Sequence, residues 1–114
     1  MRRLVLAAAL IALPIAAAGC GSKSATCDTP TATTAVEIQN STFAPACVST
    51  TTGQTLTLHN GDDTPHTFTV KGTGIDVKIE GGATEPATLA GLAPGTYAVV
   101  CLYHPQMTET LQIA

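Results

Sequence analysis

The chain has 114 residues and a formal net charge of −3. Both arginines, Arg2 and Arg3, lie in an N-terminal stretch that reads as removable; without it Lys23, Lys71 and Lys78 stand against eight acidic side chains, a formal charge of −5. No basic patch is left for nucleic acid, and the acidic residues are spread without a run, as on a solvated surface.

After Arg2 and Arg3, the stretch from Leu4 to Ala18 is apolar apart from Pro14, and Gly19-Cys20 follows. A positive start, an apolar run and a small-residue ending have the order of an export signal. The run is shorter than the roughly 18 residues a spanning helix needs. Its ending, "AAAGC" at Ala16 to Cys20, resembles the lipobox of bacterial lipoproteins. That resemblance implies that Cys20 is acylated, becomes the mature first residue, and holds the chain to the outer side of the cytoplasmic membrane, periplasmic or extracellular. Ala17 departs from the pattern, which has Leu or another larger aliphatic residue there, and plain secretory cleavage nearby is the alternative.

Residues 21–34, "GSKSATCDTPTATT", are small and polar without apolar periodicity, as in a flexible spacer. The chain thus divides into a signal segment (1–19), a tether (20–34) and one folded domain (35–114). A domain of this length is near the size at which a disulfide or a metal has to supplement the core. With Cys20 assigned to lipid and Cys101 to the loop discussed below, Cys27 and Cys47 are left as a disulfide pair by parity in an oxidising compartment, the alternative being two free buried thiols.

From Ala35 onward apolar residues recur with period two: Val36 and Ile38; Leu56 and Leu58; Phe68 and Val70; Val77 and Ile79; Tyr97, Val99 and Cys101; Leu111 and Ile113. Turn signals separate them at Ala44-Pro45, Gly53, Asn60-Gly61-Asp62, Gly72 to Gly74, Gly81-Gly82 and Pro94-Gly95. Short half-buried strands at this spacing predict an all-β antiparallel sandwich or barrel. "LAPGTY", Leu92 to Tyr97, adds a Tyr that either returns its hydroxyl to the preceding corner, a Greek-key device, or leaves it at the surface.

In "CLYHPQM", Cys101, His104 and Met107 follow one another at intervals of three residues. Cys101 closes a strand on the same side as Tyr97 and Val99, so its sulfur should point inward while the chain turns away. One loop cannot enclose a metal by itself, and His66 in "DDTPHTF" offers a ligand from a neighbouring strand. Two imidazoles, a thiolate and a thioether form the donor set of a blue copper site, in which two His and a Cys make a trigonal plane and a Met is a weak axial donor. Zinc could use the imidazoles and the thiolate, but thioether suits it poorly. His59 alternates away from Leu58 and reads as a surface residue, and Asp62-Asp63 reads as a turn.

On these pieces, with "FAP" at Phe43 to Pro45, Gly53 before a strand ending in Asn60, and "LAPGTY", the stretch from Val36 to Ile113 resembles the cupredoxins, the family of plastocyanin, amicyanin and azurin. The short Cys-x2-His-x2-Met loop is most similar to that of amicyanin. The resemblance implies an eight-stranded Greek-key β-sandwich, one copper ion cycling between Cu(I) and Cu(II), and His66, Cys101, His104 and Met107 as its ligands. Thr67 stands where the family commonly has Asn after the first ligand His. Its amide can still donate to the Cys101 sulfur, whereas the side-chain bracing of the ligand loop must be replaced or lost.

The function expected is a one-electron carrier, monomeric, working with redox partner proteins and passing electrons through the edge of His104. The alternative is copper delivery or sequestration on the same ligands. An enzyme is not expected, since copper oxidases and nitrite reductases related to this fold need additional histidines, often as His-x-His pairs, and beyond His66 and His104 the chain has only His59 and no such pair.

Overall fold

The computed structural model describes residues 27–114; the signal segment 1–19, Cys20 and the first part of the tether lie outside the described residues. The described chain is all-β: β1 (Thr31–Ala32), β2 (Ala35–Gln39), β3 (Thr42–Ala44), β4 (Cys47–Thr50), β5 (Thr55–Asn60), β6 (His66–Val70), β7 (Asp76–Ile79), β8 (Thr84–Thr88), β9 (Gly95–Cys101) and β10 (His104–Ile113). They form a Greek-key sandwich of a six-stranded sheet in the order β1-β4-β10-β9-β6-β7 and a four-stranded sheet in the order β3-β2-β5-β8.

Successive side chains on a strand point to opposite faces, so an alternating sequence buries one face and wets the other. Val36 and Ile38 on β2 and Leu56 and Leu58 on β5 are buried from one sheet; Phe68 and Val70 on β6, Val99 and Cys101 on β9, and Leu111 and Ile113 on β10 from the other. The two faces lock at Phe43 and Phe68, whose rings meet edge to face with centroids 6.0 Å apart. Tyr97 donates its hydroxyl to the Ala93 carbonyl at 2.6 Å, so the corner reading of "LAPGTY" is the one realised. His59 turns away from the core and pairs with Glu37 across the sheet, Nδ1 to Oε2 at 2.7 Å.

Ten strands appear where eight were expected, because several short ones carry too little apolar pattern to be read. The chain crosses between sheets after the cis Ala44–Pro45 peptide, which separates β3 from β4. β8 contains Pro86, tolerated because β8 lies at a sheet edge. Residues 27–34, read as part of the spacer, carry sheet structure: β1 pairs in parallel with β4, Thr31 opposite Val48. Just before it Cys27 is bonded to Cys47, with Cα atoms 5.7 Å apart and a sequence separation of 20. Closing a loop of that length stabilises by about 3 kcal/mol in the chain-entropy model.

One buried residue breaks the apolar rule. Glu109 shares the inward face of β10 with Leu111 and Ile113, is 2% exposed, and neither carboxylate oxygen finds a hydrogen-bonding partner among the described residues. Burial disfavours the charged form and pushes its pKa from the ordinary 4.5 up to about 8. Between these two values the folded chain keeps a proton that the unfolded chain has released. Stability therefore falls as pH rises through that window, by at most about 1.4 kcal/mol per pH unit, and this contribution is flat below it. Urea unfolding from pH 4 to 9 is expected to show the decline, and Glu109→Gln, which cannot ionise, to remove it.

Candidate metal centre

The site is built on the loop between β5 and β6. Asn60, the last residue of β5, is fully buried and donates Nδ2 to the carbonyls of Thr64 at 2.8 Å, Ile79 at 3.1 Å and Glu80 at 3.2 Å. Its Oδ1 accepts the Asp62 amide at 2.9 Å, which closes the turn. The loop lies so close to Gly81 that a Cβ there would collide with the Asp63 carbonyl. Only glycine fits that approach.

Asp62 then fixes His66. Its Oδ1 accepts the Asn40 amide at 2.7 Å and its Oδ2 the Ser41 amide at 2.8 Å, and both residues have a φ of 53°, a left-handed turn that needs such support at a serine. The same Oδ2 lies 2.8 Å from Nε2 of the fully buried His66. The Ser41 amide lowers the Asp62 pKa most, with His66 and the Asn40 amide adding to it, against the opposing effect of burial. A carboxylate only accepts, so Nε2 carries a proton toward Asp62, and the neutral tautomer that this bond selects is the one with Nδ1 free to bind an ion.

That nitrogen lies 3.8 Å from the sulfur of Cys101, and Nδ1 of His104 lies 3.6 Å from the same sulfur. The three donor atoms are all within 4.8 Å of one another. Cys101 and His66 are buried, His104 is half-buried, and the two imidazole centroids are 4.9 Å apart. Cys101 ends β9 and His104 begins β10, and the turn between them brings these residues opposite each other. The ladder is irregular between His104 and Thr108 and resumes with Thr108 opposite Val100. Met107, one residue earlier, is 3% exposed and belongs to the core cluster that contains Cys101.

Thr67 braces this arrangement twice. Its amide donates to the Cys101 sulfur at 3.4 Å, and its Oγ1 accepts the Leu102 amide at 2.8 Å. The bracing usually assigned to an Asn is thus taken over by the threonine hydroxyl. Two imidazole nitrogens and a thiolate, preformed in a largely buried pocket, suit a borderline-soft ion such as copper or zinc.

The cupredoxin-like domain model matches residues 6–112 of the sequence. The chain belongs to this family. As a cupredoxin it is 33% identical over 112 residues to amicyanin-alpha of Methylorubrum extorquens, with 94% of each chain covered. Among solved structures, a reduced amicyanin variant superposes with a TM-score of 0.59 at 20% identity, over 70% of this chain and 80% of that one. A purple cupredoxin from Nitrosopumilus maritimus gives 0.61 at 17% identity, over 70% and 98%. A copper-containing nitrite reductase from Thermus scotoductus also gives 0.61, but the shared part is 22% of that enzyme. These structural likenesses speak for the fold.

The structure thus gathers His66, Cys101 and His104, sets Thr67 against the sulfur, and leaves Cys27 and Cys47 at the β1–β4 edge. Asn60 was read only as the end of a strand and Asp62 only as a turn, because Asn-Gly-Asp is an ordinary turn sequence; the one signal of their role at the site was a carboxylate four residues before a histidine. Asp62→Ala should leave a buried imidazole N–H without its acceptor and cost about 1–3 kcal/mol. Denaturant unfolding reads the loss, and nitrogen NMR of His66 should show the Nε2–H tautomer giving way to a mixture in the metal-free variant.

Proposed function

We propose that this cupredoxin is a type 1 copper protein that carries single electrons, tethered through a lipid on Cys20 to the outer side of the cytoplasmic membrane. The observation that carries the reading is the Cys101 sulfur flanked by Nδ1 of both His66 and His104. These three residues would hold the ion, with Met107 as a weak fourth donor. Copper, when bound, supplies the one-electron Cu(II)/Cu(I) couple; an amicyanin variant has been solved in a Cu(I) form.

The chain's own residues do the rest. Asn60 and Asp62 hold His66, and Thr67 holds Cys101 and the backbone at Leu102, so two of the donors are fixed by the fold itself. Donors fixed this firmly favour electron cycling, which needs little movement, over delivery, which needs the loop to open. Leu102 and Tyr103, 59% and 50% exposed, stand beside the half-buried His104 and give that end an apolar rim where a redox partner can seat.

Copper-loaded, oxidised protein should show an intense blue band that Cys101→Ser abolishes, since the copper–thiolate bond is its source. Met107→Leu should keep the colour and raise the potential; Met107→Gln, with a harder oxygen donor, should lower it. Voltammetry of the two variants decides the matter, and unchanged potentials in both exclude Met107 as a ligand. Cys20→Ala should release the protein from membranes into the aqueous fraction; unaltered protein found wholly in that fraction, with a mature N-terminus other than residue 20, would rule the anchor out.

A further inference from the structure

The hydroxyl that braces the ligand loop is itself held from outside the site. Thr67 Oγ1 lies 3.0 Å from Thr69 Oγ1, and Thr69 Oγ1 lies 2.8 Å from Oδ1 of Asp76. Thr67 and Thr69 share one face of β6, and Asp76 at the start of β7 is opposite Thr69 in the ladder. The row begins at the Leu102 amide, passes a nearly buried threonine and a half-buried one, and ends at an exposed carboxylate.

The direction of every proton in this row follows from the two ends. The Leu102 N–H can only donate, so Thr67 Oγ1 accepts from it. The Asp76 carboxylate can only accept, so the Thr69 proton points at Asp76. Thr69 then has only lone pairs left for Thr67, and the Thr67 proton must point at Thr69. Both hydroxyls are oriented the same way, and each bond polarises the next. With its proton committed outward, Thr67 turns its lone pairs to the Leu102 amide, one peptide beyond Cys101.

We infer that Asp76 is a positioning residue for the loop from Cys101 to Met107, acting through Thr69 and Thr67 without touching any donor atom. A threonine hydroxyl has one rotatable proton and many orientations; only a fixed acceptor beyond it makes that hydroxyl behave as a dedicated acceptor for the loop. The row thus supplies the preorganisation that an amide side chain would bring with its own rigid geometry. The effect on the loop itself is independent of any metal, and only its consequence for a redox potential rests on the copper reading above.

The test uses three variants. Thr69→Val keeps shape and charge but removes the hydroxyl; Asp76→Ala removes the terminal acceptor; Asp76→Asn keeps an oxygen that can accept. In metal-free protein, hydrogen exchange of the Leu102 amide should be roughly fivefold faster in Thr69→Val and in Asp76→Ala. The double variant should be no faster than Thr69→Val alone, because the row is already cut, and Asp76→Asn should restore most of the protection. Amides of β2 and β5, in the other sheet, should not change and so report intact folding. In copper-loaded protein, Thr69→Val should shift the ratio of oxidised to reduced form at fixed potential by roughly threefold, although no charge has changed. Leu102 exchange unaltered in both single variants, or a double variant whose effect is the product of the two, would overturn the proposal; failure to bind copper would sink the functional reading and leave the exchange measurement to decide this one.

Discussion

The pairing of β6 with β9, Thr69 opposite Val100 and Val70 opposite Val99, decides which side chains meet at the ligand end. Carried along the two strands, that register sets Thr67 beside Leu102 and its amide against the sulfur of Cys101, 34 residues away in sequence. Because side chains alternate with period two, a slip of one residue would turn Cys101 to the solvent face and bring Val100 inward. The register is held because both strands bury their inward face: Phe68 and Val70 from one, Val99 and Cys101 from the other. Core packing and site assembly are therefore one constraint, and a sequence that satisfied only the core would already deliver the sulfur to its place.

The second sheet takes part through the loop that precedes His66. Asp62 collects the amides at the turn between β2 and β3 and the imidazole at the start of β6, so one carboxylate ties the edge of the four-stranded sheet to an inner strand of the six-stranded one. Asn60 does the same for the backbone at the end of β7. A small domain cannot surround a site with bulk, and here a few buried polar groups with nearly all their bonds made replace it. Glu109 is the exception, a carboxyl among apolar side chains whose cost is met by keeping its proton.

Which features were legible in the sequence follows from how many inward residues each strand has. β2, β5, β6, β9 and β10 each bury at least two alternating apolar side chains and could be read directly. β8 buries only Ala87 and β1 nothing, so neither leaves a periodic trace; both are edge strands defined by their neighbours. At the candidate site, Cys101, His104 and His66, with Met107 as the proposed fourth donor, stood out because such residues are scarce in this chain. Asn60 and Asp62 did not, since their residue types are the commonest in turns and their partners lie on other strands. The Thr67 substitution could be seen but its remedy could not, because Thr69 and Asp76 acquire their meaning only when β6 and β7 pair.

The bond between Cys27 and Cys47 has a mechanical consequence. Tension on the chain upstream of residue 27 reaches the disulfide before it reaches β1, whose few hydrogen bonds to β4 would otherwise be peeled away. The load passes through a covalent link into β4, and β4 lies parallel to β10, with Thr110 opposite Cys47 and Ile113 opposite Thr50. Those two strands then share the force in shear at the end of β10 remote from His104, while the strand carrying Cys101 is one further removed and the strand carrying His66 two. Any drag on the leading segment enters the sheet beyond Thr110, at the far end of β10 from the turn that joins His104 to Cys101.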